Sequence, residues 1–111
     1  MNRAAAERRG RRAETFAAWW LRARGWAIIA RRRRLPMIEV DIIARRGDLI
    51  AVVEVKYRPR ADAGLVAVTP QVAGRLRAAA AQIAAEAAAR GRPASVRVDI
   101  IAVSPWRWPV H

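Results

Sequence analysis

The chain has no cysteine, one histidine and, among its 22 basic residues, a single lysine, Lys56. Without cysteine there is no disulfide framework, no thiolate metal site and no thiol nucleophile, which fits the reducing interior of a cell. No stretch approaches the ~20 apolar residues that a membrane span needs. The arginine-rich start is interrupted by Glu14, Arg22 and Arg24, against a secretory signal. No internal repeat and no dividing linker are present. Acids are scarce too: nine stand against the 22 basic residues, for a formal charge of +13.

What is there is mostly alanine and arginine, a composition that suits a GC-rich genome. Its 111 residues allow one domain and one core. The arginines gather at Arg8, Arg9, Arg11 and Arg12, at Arg31 to Arg34, at Arg45 and Arg46, and at Arg58 and Arg60. A field of that sign concentrates polyanions, nucleic acid first among them. A solubilising surface or contact with anionic lipid is the bland alternative. Coding bias explains the lysines that are missing and not the one that stays. Lysine offers a compact ammonium with a perturbable pKa, which arginine's always-charged fork does not.

The periodicity predicts a polar lead-in over 1–12 and a first helix over about 11–24, with Ala13, Phe16, Ala17, Trp20 and Leu21 inward and Gly25 as its stop. Trp26 to Ala30 reads as a short strand, and the basic run to Pro36 as a loop. Two β-rich runs, Ile38 to Arg45 and Leu49 to Tyr57, flank Arg46-Gly47-Asp48 as a hairpin inside a covered sheet. A loop from Arg58 to Val68 leads to a second helix capped by Thr69 and Pro70. That helix buries Val72, Leu76, Ala79, Ala80, Ile83 and Ala87 and ends at Gly91. Val96 to Val103 is the last strand, and 104–111 a surface tail. The expected fold is α/β, three layers around a small mixed sheet, in the order helix, three strands, helix, strand.

Glu39, Asp41, Glu54 and Lys56 are the charges embedded in the central strands. Residues two apart in a strand share a face. A turn closing Ala44 against Leu49 sets Glu39 opposite Glu54 and Asp41 opposite Val52, with all four charges on one face. Three carboxylates that close need a cation. Lys56 compensates in part; a divalent ion held by oxygen alone, magnesium or manganese, compensates fully. The alternative is a buried Glu54–Lys56 ion pair with the other acids reaching solvent.

Glu39-Val40-Asp41-Ile42-Ile43-Ala44, then Glu54-Val55-Lys56, resembles the core of the PD-(D/E)XK nuclease superfamily. More closely it resembles the small YraN-like family of bacterial proteins, proposed relatives of archaeal Holliday junction resolvases. The likeness begins at Arg12-Ala13-Glu14, takes in Gly25 and Arg58, and continues through Gly64, Ala67-Val68-Thr69-Pro70, Arg75-Leu76 and Arg97-Val98-Asp99. It implies a restriction-endonuclease-like fold in a bacterial cytoplasm. It also implies a phosphodiesterase acting on DNA, branched or structured forms included, with Mg2+ or Mn2+ held by Asp41, Glu54 and the carbonyl of Val55. Lys56 then handles the attacking water and the phosphate, Glu14 completes the acidic cluster and Glu39 assists. Phosphate contacts are expected from Arg12, Arg31, Arg32, Arg33, Arg34, Arg58, Arg60 and Arg75. Ile38, Val72 and Val98 depart from the family's glycine, lysine and aromatic, and none of them removes a metal ligand.

Two other readings remain open. One is a nucleic-acid-binding protein that keeps the fold without the chemistry. The other is a scaffold that forms a homodimer through its tail tryptophans. Trp20 and Trp26 read as core. Trp19, Trp106 and Trp108 read either as stacking platforms for unpaired bases or as cover for the sheet edge.

Overall fold

The computed structural model describes residues 3–58, 68–104 and 107–110. The elements run α1 (Arg3–Ala23), β1 (Ala27–Arg34), β2 (Glu39–Arg46), β3 (Leu49–Tyr57), α2 (Pro70–Ala89), β4 (Ser95–Ser104) and β5 (Arg107–Val110). The five strands lie in the sheet in chain order. Only β3 and β4, joined through α2, are parallel; the other pairs are antiparallel. The fold is therefore α/β with a mixed sheet, as expected.

The single core expected from chain length is divided by the sheet into two. On one face Ala13, Ala17, Ala18 and Leu21 of α1 pack on Ile42, Ala44, Ala51, Val53, Ile101 and Val103. On the other, Leu76, Ala79, Ala80, Ile83 and Ala87 of α2 pack on Val40, Ile43, Ile50 and Val52. Small alanines let both helices approach the sheet closely, and the two layers fix where the strand ends lie. Phe16, expected inward, is 43 % exposed, and Ala18 takes the buried place instead. Val72, Ile38 and Val98 pack at the margin of the α2-side layer, so the three departures from the family pattern serve packing here.

Four boundaries differ from the sequence reading. First, α1 begins at Arg3, so most of the expected lead-in is helix; alanine, glutamate and arginine are strong helix formers, and Gly10 alone costs only about 1 kcal/mol. Second, β1 runs through the basic segment to Arg34 because its arginines find partners on both layers. Third, the tail is a fifth strand on β4, pairing Ala102 with Val110; Pro109 is tolerated because β5 is an edge. Fourth, the hairpin closes Arg46 on Leu49 around a two-residue Gly47-Asp48 turn. Gly47 adopts φ 62°, which a tight turn with glycine first requires.

Both helices stop through the same geometry. The Trp26 N–H reaches the Leu21 carbonyl and the Gly25 N–H the Arg22 carbonyl, with Gly25 at φ 89°. Arg92, Gly91, Ala87 and Ala88 repeat the pattern at the end of α2, and both are Schellman motifs. At the start of α2 the Thr69 hydroxyl accepts from the Val72 N–H at 3.2 Å.

Candidate functional site

Along β3 the alternation is regular. Leu49, Ala51, Val53, Val55 and Tyr57 belong to the α1 side, and Ile50 and Val52 to the α2 side. Glu54 and Lys56 continue the second series. In β2 the alternation breaks: Ile42 and Ala44 face α1 and Ile43 faces α2, yet Val40 also faces α2. The change of face falls at Asp41. In β1 the register shifts between Ile28 and Ala30, and the side chains change face again at Arg32, between the pairs Arg31↔Ile42 and Arg33↔Val40.

Arg32 has φ 52°, the left-handed region, and is the only non-glycine with positive φ among the described residues. For such a residue that conformation costs on the order of 1–2 kcal/mol, and such strain collects at functional sites. Here it lets neighbouring arginines reach different layers. Arg31 donates to the Thr15 hydroxyl and Arg32 to the Glu14 carboxylate at 2.7 Å, both on α1. Arg33 grips Glu86 on α2 with two bonds of 2.6 and 2.7 Å.

Asp41 is where the local fields meet. The last register pair of β2 and β3 is Ile42↔Val53. Beyond it the Val55 N–H donates to Asp41 Oδ2 at 2.8 Å, so the side chain stands in for the next backbone acceptor. Burial pushes the Asp41 carboxyl up to about 7; the Val55 bond opposes this, the charges of Glu54 and Glu14 add to it, and Lys56 relieves it a little. Lys56 Nζ is committed to Glu54 Oε1 at 2.9 Å, and the Glu54 side chain is only 13 % exposed. The Glu14 bond raises the already basic Arg32 guanidinium further.

Glu14, Glu54 and Lys56 thus all act on Asp41. Glu39 is not among them. With the alternation reset at Asp41 it loses the face it was expected to share, and it pairs with Arg34 at 3.6 Å, half in solvent. The expected register, with Glu39 opposite Glu54, is corrected with it. Among the described residues no three acidic or imidazole side chains converge as a metal cage. Asp41 and Glu54 are two hard-oxygen carboxylates, the donor type that a magnesium-like ion takes. The undercompensated Asp41 carboxyl is the group such an ion would discharge.

The expected phosphate-binding arginines divide. Arg12, Arg31, Arg34 and Arg75 are exposed. Arg32 and Arg33 are spent on Glu14 and Glu86. The Arg58 N–H holds the Val103 carbonyl, and its guanidinium holds that of Tyr57. Arg60 lies outside the described residues. Sequence reasoning missed Arg32 as the counter-charge of Glu14. In a run of four arginines nothing local marks which one turns inward.

Comparison with known proteins agrees with this breadth of likeness. A "UPF0102 protein" of Sphingopyxis alaskensis is 48 % identical over 112 residues, covering 100 % of this chain and 94 % of its own length. One of Caulobacter sp. is 49 % identical over 108 residues, covering 97 % of this chain and 77 % of its own. One of Brucella canis is 48 % identical over 103 residues, covering 93 % and 81 %. The profile of Uncharacterised protein family UPF0102 matches residues 13–103, a span that holds every residue of the acidic site, and the chain belongs to that family.

Proposed function

We propose that this protein is a metal-dependent nuclease of the PD-(D/E)XK type, hydrolysing phosphodiesters in DNA. The observation that carries the reading is Asp41, a half-buried carboxyl poised near neutrality beside Glu54 and Lys56 where two central strands part. Perturbed acids with specific charged neighbours mark functional sites. Asp41, Glu54 and the Val55 carbonyl would hold Mg2+ or Mn2+. Such an ion, when bound, lowers the pKa of water and stabilises the leaving oxygen. The rest falls to the chain. Lys56, now paired with Glu54, would orient the nucleophile and offset charge on the phosphate. Glu14, held by Arg32, keeps the α1 side of the site acidic. Exposed arginines bind the backbone of the nucleic acid without reading its sequence.

The test joins two measurements. Calorimetric titration with Mg2+ and Mn2+ should show binding to the wild type and none to Asp41→Ala. Cleavage of a panel of linear and branched DNAs should be lost in Asp41→Ala, Glu54→Ala and Lys56→Ala while binding to DNA persists. Unchanged cleavage in all three variants would end this assignment. A second reading, a nucleic-acid-binding protein without turnover, is favoured by the two-acid site and by the closed Glu54–Lys56 pair. It expects salt-sensitive binding with no metal affinity and no cleavage of any member of the panel.

A further inference from the structure

We propose that the outer face of α1 is a binding strip for single-stranded nucleic acid, with Trp19 and Phe16 stacking on unpaired bases and Arg12 on the intervening phosphates. This rests on the nucleic-acid part of the reading above and not on cleavage. The helix spends its apolar side on the sheet, where Ala17, Ala18 and Leu21 are wholly buried. At 3.6 residues per turn, Trp19 stands at the centre of the opposite side, between Arg11, Arg12 and Arg22. It is 67 % exposed, the most exposed large apolar side chain among the described residues, and Phe16 beside it is 43 % exposed. With two thirds of its surface in solvent, Trp19 adds little to the packing of the fold. Arg11, Arg12, Thr15, Phe16 and Trp19 line a shallow depression of about 340 Å3.

Flat aromatic surface interleaved with arginine is what single strands require, because every base has a π-face and every linkage a charge. The chain's +13 charge supplies the attraction. Lipid is a poorer match: an interfacial helix needs a broad apolar face to insert, and the sheet already occupies that of α1. The strip also leads to the acidic site. Glu14 neighbours Thr15, and a second hollow of about 380 Å3 joins Arg12 and Phe16 to Tyr57, the residue after Lys56. A strand lying along α1 would run its backbone toward Glu14, the acid that α1 itself brings to Asp41. The substrate class this favours is DNA with an unpaired segment next to a duplex.

Fluorescence anisotropy in EDTA, at near-physiological salt, tests the idea with labelled oligothymidine and a blunt duplex of equal length. Trp19→Ala should weaken oligothymidine binding about tenfold, the scale of one lost stacking platform, and duplex binding less than about twofold. Trp19→Phe should restore most of the single-strand affinity. Circular dichroism checks that both variants fold. Equal losses on both ligands, or none on either, overturn the proposal. So does loss of binding to phosphatidylglycerol vesicles in Trp19→Ala with oligothymidine binding intact. If the wild type binds the duplex and not oligothymidine, this inference alone fails. If it binds neither, the nucleic-acid reading fails with it.

Discussion

Asp41 carries opposite demands from stability and from chemistry. Its folded carboxyl sits at about 7 against an ordinary 3.8, so the folded state binds the proton more tightly than the unfolded chain does. Its contribution is fully present below the unfolded value and is lost as pH rises through the folded one, so stability falls between about pH 4 and 7. At about 1.4 kcal/mol per unit, the effect amounts to a few kcal/mol at most. Asp41→Asn, which stays neutral, should therefore be more stable than the wild type at pH 8 by ~1–3 kcal/mol and nearly equal to it at pH 4. Urea denaturation in EDTA at the two pH values measures this, and equal differences at both would remove burial as the cause. Lys56→Arg asks a separate question. It keeps the charge beside Glu54, and under the proposed nuclease reading it should lower cleavage by at least about 10²-fold, the scale of a lost proton-handling group. The acids and the lysine were legible in the sequence because charge inside apolar strands is conspicuous. Glu39 was misread for a physical reason: alternation extrapolates only through regular strand, and nothing in Glu39-Val40-Asp41 signals the change of face at Asp41.

Among the elements, β3 and α2 were read nearly to the residue, since apolar runs and a Thr-Pro start leave few alternatives. β1 was cut short because four arginines look like loop, whereas their partners, Thr15, Glu14 and Glu86, lie far away in sequence. The hairpin register slipped by two residues because Arg45 and Arg46 also read as turn. In the structure Arg46 stacks over Trp26 at 4.5 Å and Arg45 holds the Gly47 and Arg92 carbonyls, which keeps both residues in strand. The bidentate Arg33–Glu86 pair ties β1 to α2 and holds Glu86 down to about 2, chiefly through its bonds from Arg33 and Gln82. Its stabilising effect is present above about pH 4.5 and lost as pH falls toward 2. Glu86→Gln should then cost about 1 kcal/mol at pH 7, the discounted worth of a partly exposed pair, and little at pH 2. Thermal denaturation at both pH values reads it. At the end of α2, Gly91 has φ 74° and open space around a would-be Cβ. Gly91→Ala should thus destabilise by about 1 kcal/mol from backbone conformation alone.

Across the whole molecule the +13 charge overstates the free positive surface, because several arginines are already occupied inside the fold. The salt dependence of DNA binding counts the phosphates neutralised. Arg75→Ala should reduce the slope of log affinity against log salt by about 1, while Arg33→Ala leaves it unchanged. Equal changes in the two variants would mean that the arginines act only as a diffuse field. The total charge was plain in the sequence, but its division between free and internal was not, since that depends on which layer each side chain reaches.

The sheet ends on one side at β1, which offers unpaired backbone groups where another strand would otherwise add. Arg31 and Arg34 stand exposed along that margin. A second copy of the chain approaching it would bring guanidinium against guanidinium at strand spacing. Positive charge along this edge strand therefore discourages edge-to-edge pairing between copies of this protein.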